Sequence, residues 1–330
     1  MRGVHALTLV LLLGAAAAVT REARSQTGQA PPIRVRVEVV NVDVSVTDAQ
    51  GRFVADLPKD AFLVFDDGAE QPLAYFASTE APAQVLLFIE AGPAVYLLAG
   101  EHLRAASALL ECLAPDDHVA VASYADKAES VLGFTTDKGM ASAALESLRF
   151  NLGMGDLNLA DALASAIAWP GPGKRSIVLL STGVDTSAPE HGRRLLERLR
   201  AGDVTVYAVA LGGILREPPA PRNKRNSPGV APAVSFAEAD RALEEIAEAS
   251  GGRAFFPRSA QEFQAAYRQI GALVRHQYSL GFAPAEHDGR AHQIEVRVGA
   301  APANFSGGKA APPYRVDYRR AYLAPSEPPR

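Results

Sequence analysis

The chain has 330 residues, 48% of them hydrophobic and 21% charged, with a formal net charge of −4 and one cysteine. This composition excludes a disordered chain and an intrachain disulfide framework, and it gives no global field that would draw nucleic acid or an anionic membrane. The length accommodates one large domain and a second module. Residues 1–18 have the form of an export signal. Arg2 supplies the basic start, Ala6 to Val19 is an apolar run of 14 residues, and Ala16 and Ala18 suit a peptidase cleaving after Ala18. That run is too short to cross a bilayer comfortably, no cysteine follows it for lipid attachment, and no later segment is long and apolar enough to span. The expected mature chain is exported, periplasmic or extracellular, with no integral membrane segment.

Residues 19–32 are polar and end in Pro31-Pro32, a flexible leader. From 33 to 80 the period is two. Val35, Val37 and Val39, then Val42, Val44 and Val46, alternate with polar residues, with a change of register near Val40-Asn41 that a bulge would explain. Asp66-Asp67-Gly68 predicts a hairpin turn, with Pro72 to Phe76 returning as the next strand. This stretch is the expected N-terminal β-module. Residues 83–275 switch to strand–helix alternation. Buried strands are predicted at 85–89, 118–124, 176–181 and 204–211, with 130–134 pairing against 118–124 and a short strand at 253–256. Helices are predicted at 102–113, 140–148, 159–169, 190–201, 237–249 and 259–274, the last opened by Ser259 with Glu262 as its capping partner. The pattern predicts an α/β, Rossmann-like, doubly wound domain, with a mostly parallel sheet and helices on both faces. Residues 212–235, rich in Pro and lacking periodicity, form a mobile insertion or binding loop, and the Arg222, Lys224 and Arg225 cluster within it is taken as a solvated face. Period two returns from 276 to 322, at Tyr278, Leu280 and Phe282, at Ile294, Val296 and Val298, and at Tyr314, Val316 and Tyr318. These strands are expected to complete the N-terminal module as an Ig-like β-sandwich, a separate C-terminal sheet being the alternative, with 323–330 as a tail. Cys112 lies in an apolar helical pattern and is expected in the core.

The stretch Val85-Leu-Leu-Phe-Ile-Glu90-Ala-Gly92-Pro-Ala94 is an apolar strand ending in one carboxylate, followed by a small-residue turn and a helix. Open α/β sheets carry ligands just outside such strand ends. The order of elements from Gln84 to Val274 resembles a von Willebrand factor A (VWA) domain. The flanks, Val42-Asp43-Val44 with Asp48, Gly51, Leu57, Asp60, Phe62 and Phe65-Asp66-Asp67-Gly68, then Tyr278-Ser-Leu-Gly281-Phe and Tyr314 to Tyr322, are similar to the VWA-related proteins common in acidobacteria. The resemblance implies a partner-binding domain whose metal sits under three loops. Its metal-site positions fall on Glu90, Gly92 and Ala94, on Leu157, and on Thr182. Every one differs from the family pattern, and only Glu90 and Thr182 keep a side-chain oxygen. Asp156, Asn158 and Asp185 are the nearby substitutes if the loops shift, and each also suits a cap or turn. Magnesium demands near-octahedral oxygen coordination, so the site is expected to be degenerate, with no cofactor. A rearranged site would take Mg or Mn.

Other chemistry is not encoded. Gly153-Met-Gly155 follows a helix instead of a strand, and Gly171 to Ser176 lacks the spacing of a phosphate loop. The seven histidines are scattered without an i, i+4 pair, and Ser181-Thr182-Gly183 is no nucleophile elbow. Glu90 with Asp185 is the one conceivable acid/base pair, and a lone carboxylate without a placed partner is little sign of catalysis. The expected function is non-enzymatic protein binding or scaffolding on an envelope or extracellular partner, through a metal-free crevice. The alternatives are a metal-dependent adhesion module with a rearranged site and, third, an envelope hydrolase.

Overall fold

The structure is a computed structural model that describes residues 39–80, 82–92, 99–150, 155–169, 175–211, 236–299 and 314–326. The expected export signal and leader, the alternation at Val35 and Val37, Ala94 and the 212–235 insertion lie outside these residues. Among the described residues no helix is long and apolar enough to cross a membrane. The elements in order are β1 (Val40–Thr47), β2 (Phe62–Asp66), β3 (Ala69–Gln71), β4 (Tyr75–Glu80), β5 (Gln84–Glu90), α1 (Ala99–Cys112), β6 (His118–Tyr124), β7 (Ala128–Thr135), α2 (Lys138–Glu146), α3 (Leu159–Ile167), β8 (Arg175–Ser181), α4 (Pro189–Ala201), β9 (Val204–Ala210), α5 (Phe236–Ser250), β10 (Ala254–Phe255), α6 (Ala260–Arg275), β11 (His276–Phe282), β12 (Ala291–Val298), β13 (Arg315–Asp317) and β14 (Ala321–Leu323).

The central sheet has the order β10-β9-β8-β5-β6-β7, parallel except for the antiparallel edge strand β7. Its strands are apolar on both faces because both are covered. Val85, Leu87 and Ile89 point into one core with α1, α2 and α6, while Leu86 and Phe88 point into the other with α3, α4 and α5. The same two-way split runs through Val178/Leu179 and Val209/Ala210, as a period of two requires. Asp137 caps α2 by accepting from Gly139 and Met140 N–H. Ser259 caps α6 by accepting from Glu262 N–H, while the Glu262 carboxylate accepts from Arg258 N–H at 2.7 Å, one residue earlier than a capping box places it.

The remaining strands form two four-stranded sheets, β13-β1-β11-β4 and β14-β12-β2-β3, around a third core that includes Val42, Val44, Phe62, Val64, Tyr278, Leu280 and Val296. Strands from the two ends of the chain pair directly, β1 with β11 and β2 with β12. Three local expectations need correction. Register runs unbroken from Val40↔Phe282 to Val44↔Tyr278, so no bulge lies at Val40-Asn41. The return strand expected at Pro72 to Phe76 is interrupted: β3 ends at Gln71 and β4 starts at Tyr75 in the other sheet, because Pro72 has no N–H to continue a ladder. Pairing also runs beyond 322, since Leu323 closes β14 and Ser326 bridges to Asp288.

Two charged residues tie the layers together. Arg253, 5% exposed, donates to Thr47 Oγ1 at 3.0 Å in β1 and pairs with Asp317 in β13. Asp117, fully buried below β6, accepts from Ala83 N–H and Ala114 N–H, both at 2.7 Å, and pairs with Arg275 at the end of α6. Cys112 is half-buried at the end of α1, and burial pushes its thiol pKa up, away from a reactive thiolate.

Candidate functional site at the carboxyl end of the central sheet

Strand β5 sits between β6, which follows it in sequence, and β8, which returns to its other side. The order of the sheet reverses there, and ligand sites of open α/β sheets lie outside the carboxyl ends of the strands at this point. Glu90, Tyr124 and Ser181 are the last residues of β5, β6 and β8. Their ends meet through one buried carboxylate. Glu90 is 0% exposed. Its Oε2 accepts from Thr182 N–H at 2.7 Å, from Thr182 Oγ1 at 2.9 Å and from Ser181 Oγ at 3.1 Å, with the Tyr124 hydroxyl at 3.2 Å. Tyr124 also donates to Ser181 Oγ at 2.7 Å. Burial raises the Glu90 pKa, and the hydrogen bonds from Thr182, Ser181 and Tyr124 oppose that rise. Burial first, and then the adjacent carboxylate, push the Tyr124 hydroxyl well above its ordinary range, so Tyr124 acts as a neutral donor.

Local backbone geometry explains why Thr182 reaches Glu90. Gly183 has φ +80°, and a Cβ there would lie 2.5 Å from the Ala239 carbonyl oxygen of α5. Only glycine makes this close turn without strain, and the turn leaves the Thr182 N–H facing β5. On the other side, a Cβ at Gly92 would lie 2.8 Å from Leu157 Cδ2 and 3.4 Å from Glu90 Oε1. The Leu157 side chain therefore fills the space above Gly92. Its backbone is fixed to the loop after β8, since Leu157 N–H donates to Thr186 Oγ1 at 2.9 Å and Thr186 N–H donates to Leu157 O at 2.7 Å.

The structure thus brings Glu90, Gly92, Leu157 and Thr182 together, while Ala94 lies outside the described residues. The substitutes are otherwise engaged or apart. Asp185 Oδ2 accepts from Ala160 N–H at 3.0 Å and caps α3 in place of Asn158, which occupies the cap position without a side-chain capping bond. The Asn158 amide donates to Asp126 O at 3.1 Å, and Asp156 is exposed. Among the described residues, Glu90, Asp156 and Asp185 do not gather into a cluster fit to hold an ion. A divalent ion needs several free oxygens around one point. The described positions offer a carboxylate and a hydroxyl already bonded to each other, next to an isobutyl group, and these do not fit it.

Sequence reasoning missed Tyr124 and Ser181 as partners of Glu90. The available signal was positional: each is a polar residue that closes an apolar strand, as Glu90 is. An apolar cavity of about 340 Å³, lined by Leu86, Ala120, Phe134, Trp169 and Ile177 among others, lies toward the opposite ends of the same strands.

Comparison with known proteins gives structural likeness only. Neither a family model nor a curated protein matches the chain. Similar solved structures include an aerotolerance-related membrane protein from Bacteroides fragilis, at 17% identity over 57% of this chain and 98% of that one, TM-score 0.45. BatB from Bacteroides thetaiotaomicron gives 19% identity over 58% and 98%, TM-score 0.45. A von Willebrand factor type A protein from Catenulispora acidiphila gives 11% identity over 80% and 76%, TM-score 0.46.

Proposed function

We propose that this chain is an exported, non-enzymatic protein-binding or scaffold module of VWA type, with a crevice that works without a metal ion and a flanking Ig-like β-sandwich. The observation that carries the reading is the closure of the crevice by its own side chains. Glu90 bonds Thr182 and Ser181 across the gap between β5 and β8, and Leu157 covers Gly92. A carboxylate held this way is a strut between strand tips. It is poorly placed for general acid/base work, because its proton-accepting lone pairs face protein donors. The Leu157 side chain over Gly92 presents an apolar contact there, which favours recognition by shape and backbone hydrogen bonds over metal capture of a carboxylate.

Affinity capture from the native cell envelope tests this, using the full chain and Leu157→Arg, each with and without EDTA. The expected result is a partner retained in EDTA and lost in Leu157→Arg. A partner that EDTA releases from the full chain and from Asp67→Asn alike would overturn the metal-independent reading of the crevice.

A further inference from the structure

Away from the crevice, the neighbours Asp66 and Asp67 meet the sequence-distant His292 at one corner of the β-module. One carboxylate oxygen each from Asp66 and Asp67 and a ring nitrogen of His292 lie within 4.8 Å of one another. Topology puts them there. Strand β12 runs antiparallel to β2 with Ile294 opposite Asp66. The β2–β3 connection is the two-residue turn Asp67-Gly68, with φ of +46° and +83°. Positive φ at both positions is the tight hairpin geometry that asparagine, aspartate and glycine accept, and it brings Asp67 back toward β12. Asp67 Oδ2 lies 2.8 Å from His292 Nδ1, and Asp67 Oδ1 accepts from Gln293 N–H at 2.9 Å. His292 Nε2 is 3.0 Å from Asp288 Oδ1. Asp66, 4% exposed, accepts from the Tyr322 hydroxyl on Oδ2 at 2.8 Å, while its Oδ1 is buried with no hydrogen-bond partner among the described residues.

We propose that Asp66, Asp67 and His292 form a binding site for a divalent transition-series cation of the zinc class. Three points of chemistry support it. A buried carboxylate oxygen without a partner is costly and rare in folded proteins, and an ion beside Asp66 Oδ1 removes the deficit. Three carboxylates, Asp66, Asp67 and Asp288, surround a single imidazole, and a dication offsets two of those three charges where one proton on the ring offsets one. Mixed imidazole and carboxylate ligands select zinc over magnesium or calcium. Zinc–ligand bonds of about 2.0–2.1 Å separate neighbouring ligand atoms by roughly 3.3 Å in a tetrahedron, so the Asp67–His292 pair has only to part by a few tenths of an ångström. The outer partners are already placed. Asp288 holds Nε2, leaving Nδ1 for the ion, and Tyr322 holds Asp66 Oδ2, leaving Oδ1. Such contacts orient ligands and raise their basicity. The Asp67 side chain, 56% exposed, gives an entry path and room for a water as fourth ligand.

Isothermal titration of the EDTA-stripped full chain with zinc chloride tests the site. The expected result is one saturable site per chain, weakened at least about tenfold in Asp67→Asn and in His292→Gln, and unchanged in Glu90→Gln. Asp67→Asn carries the test even if His292→Gln fails to fold, because asparagine accepts the positive φ of an exposed turn. No saturable heat, or equal zinc affinity in Asp67→Asn and wild type, overturns the proposal. Loss of binding in Glu90→Gln overturns it as well and moves the ion to the crevice.

Discussion

Glu90→Ala is expected to lower the free energy of unfolding by about 3 kcal/mol or more, and Glu90→Gln to leave it within about 1 kcal/mol of wild type at neutral pH. Alanine removes the acceptor of Thr182 N–H, Thr182 Oγ1 and Ser181 Oγ in a fully buried place, and it leaves a cavity where three strand ends meet. Glutamine keeps the shape and one carbonyl oxygen for the Thr182 N–H. The pH dependence separates the two further. Burial raises the Glu90 pKa above its ordinary 4.5, so the fold favours the protonated form more than the unfolded chain does. The contribution of Glu90 is therefore greatest below the unfolded value and is lost as pH rises through the folded one. Stability measured by urea denaturation should fall with rising pH across that window in wild type, and this component should vanish in Glu90→Gln. A ligand carboxylate poised for a cation would behave oppositely: Glu90→Gln would cost stability only when the cation is present.

Asp117→Ala is expected to cost about 3–5 kcal/mol, the range for breaking a buried ion pair by removing one partner. Asp117 has no exposure, and its two oxygens take the Ala83 and Ala114 N–H groups at the entrances to β5 and β6 as well as the Arg275 guanidinium. Removing it strands two backbone donors and leaves Arg275 with Asp116 alone, at the junction of the strand carrying Glu90 with the last helix of the α/β layer. Asp117→Asn retains one acceptor and should cost less. Urea denaturation of the two variants checks this, and a loss under about 1 kcal/mol in Asp117→Ala would mean that Arg275 and the two amides find other partners.

Sequence patterning made the α/β layer legible because two covered faces force continuous apolar strands, and Val85 to Ile89 and Ile177 to Leu180 show that pattern directly. The capping of α6 was legible from Ser259 and Glu262, since caps are local chemistry. The split at Pro72 was not read, although proline itself carried the signal. That Asp185 caps α3 was not legible, because the acceptor lies 25 residues from the amide it serves. The same reason hid the hydrogen-bond set of Glu90, whose partners lie 34, 91 and 92 residues away, and the meeting of Asp67 with His292, 225 residues apart. Histidine spacing along the chain finds sites within one helix; it cannot find a ligand pair assembled by strand pairing between the two ends of a module.

The most direct measurement is an anomalous difference map from crystals grown in manganese chloride. The predicted result is no peak in contact with Glu90 or Thr182, the Glu90 carboxylate bonded to Thr182 and Ser181, and Leu157 packed over Gly92. A manganese ion with coordinated waters bridging the loops after β5 and β8 would contradict the account, whatever the map shows at Asp66 and His292.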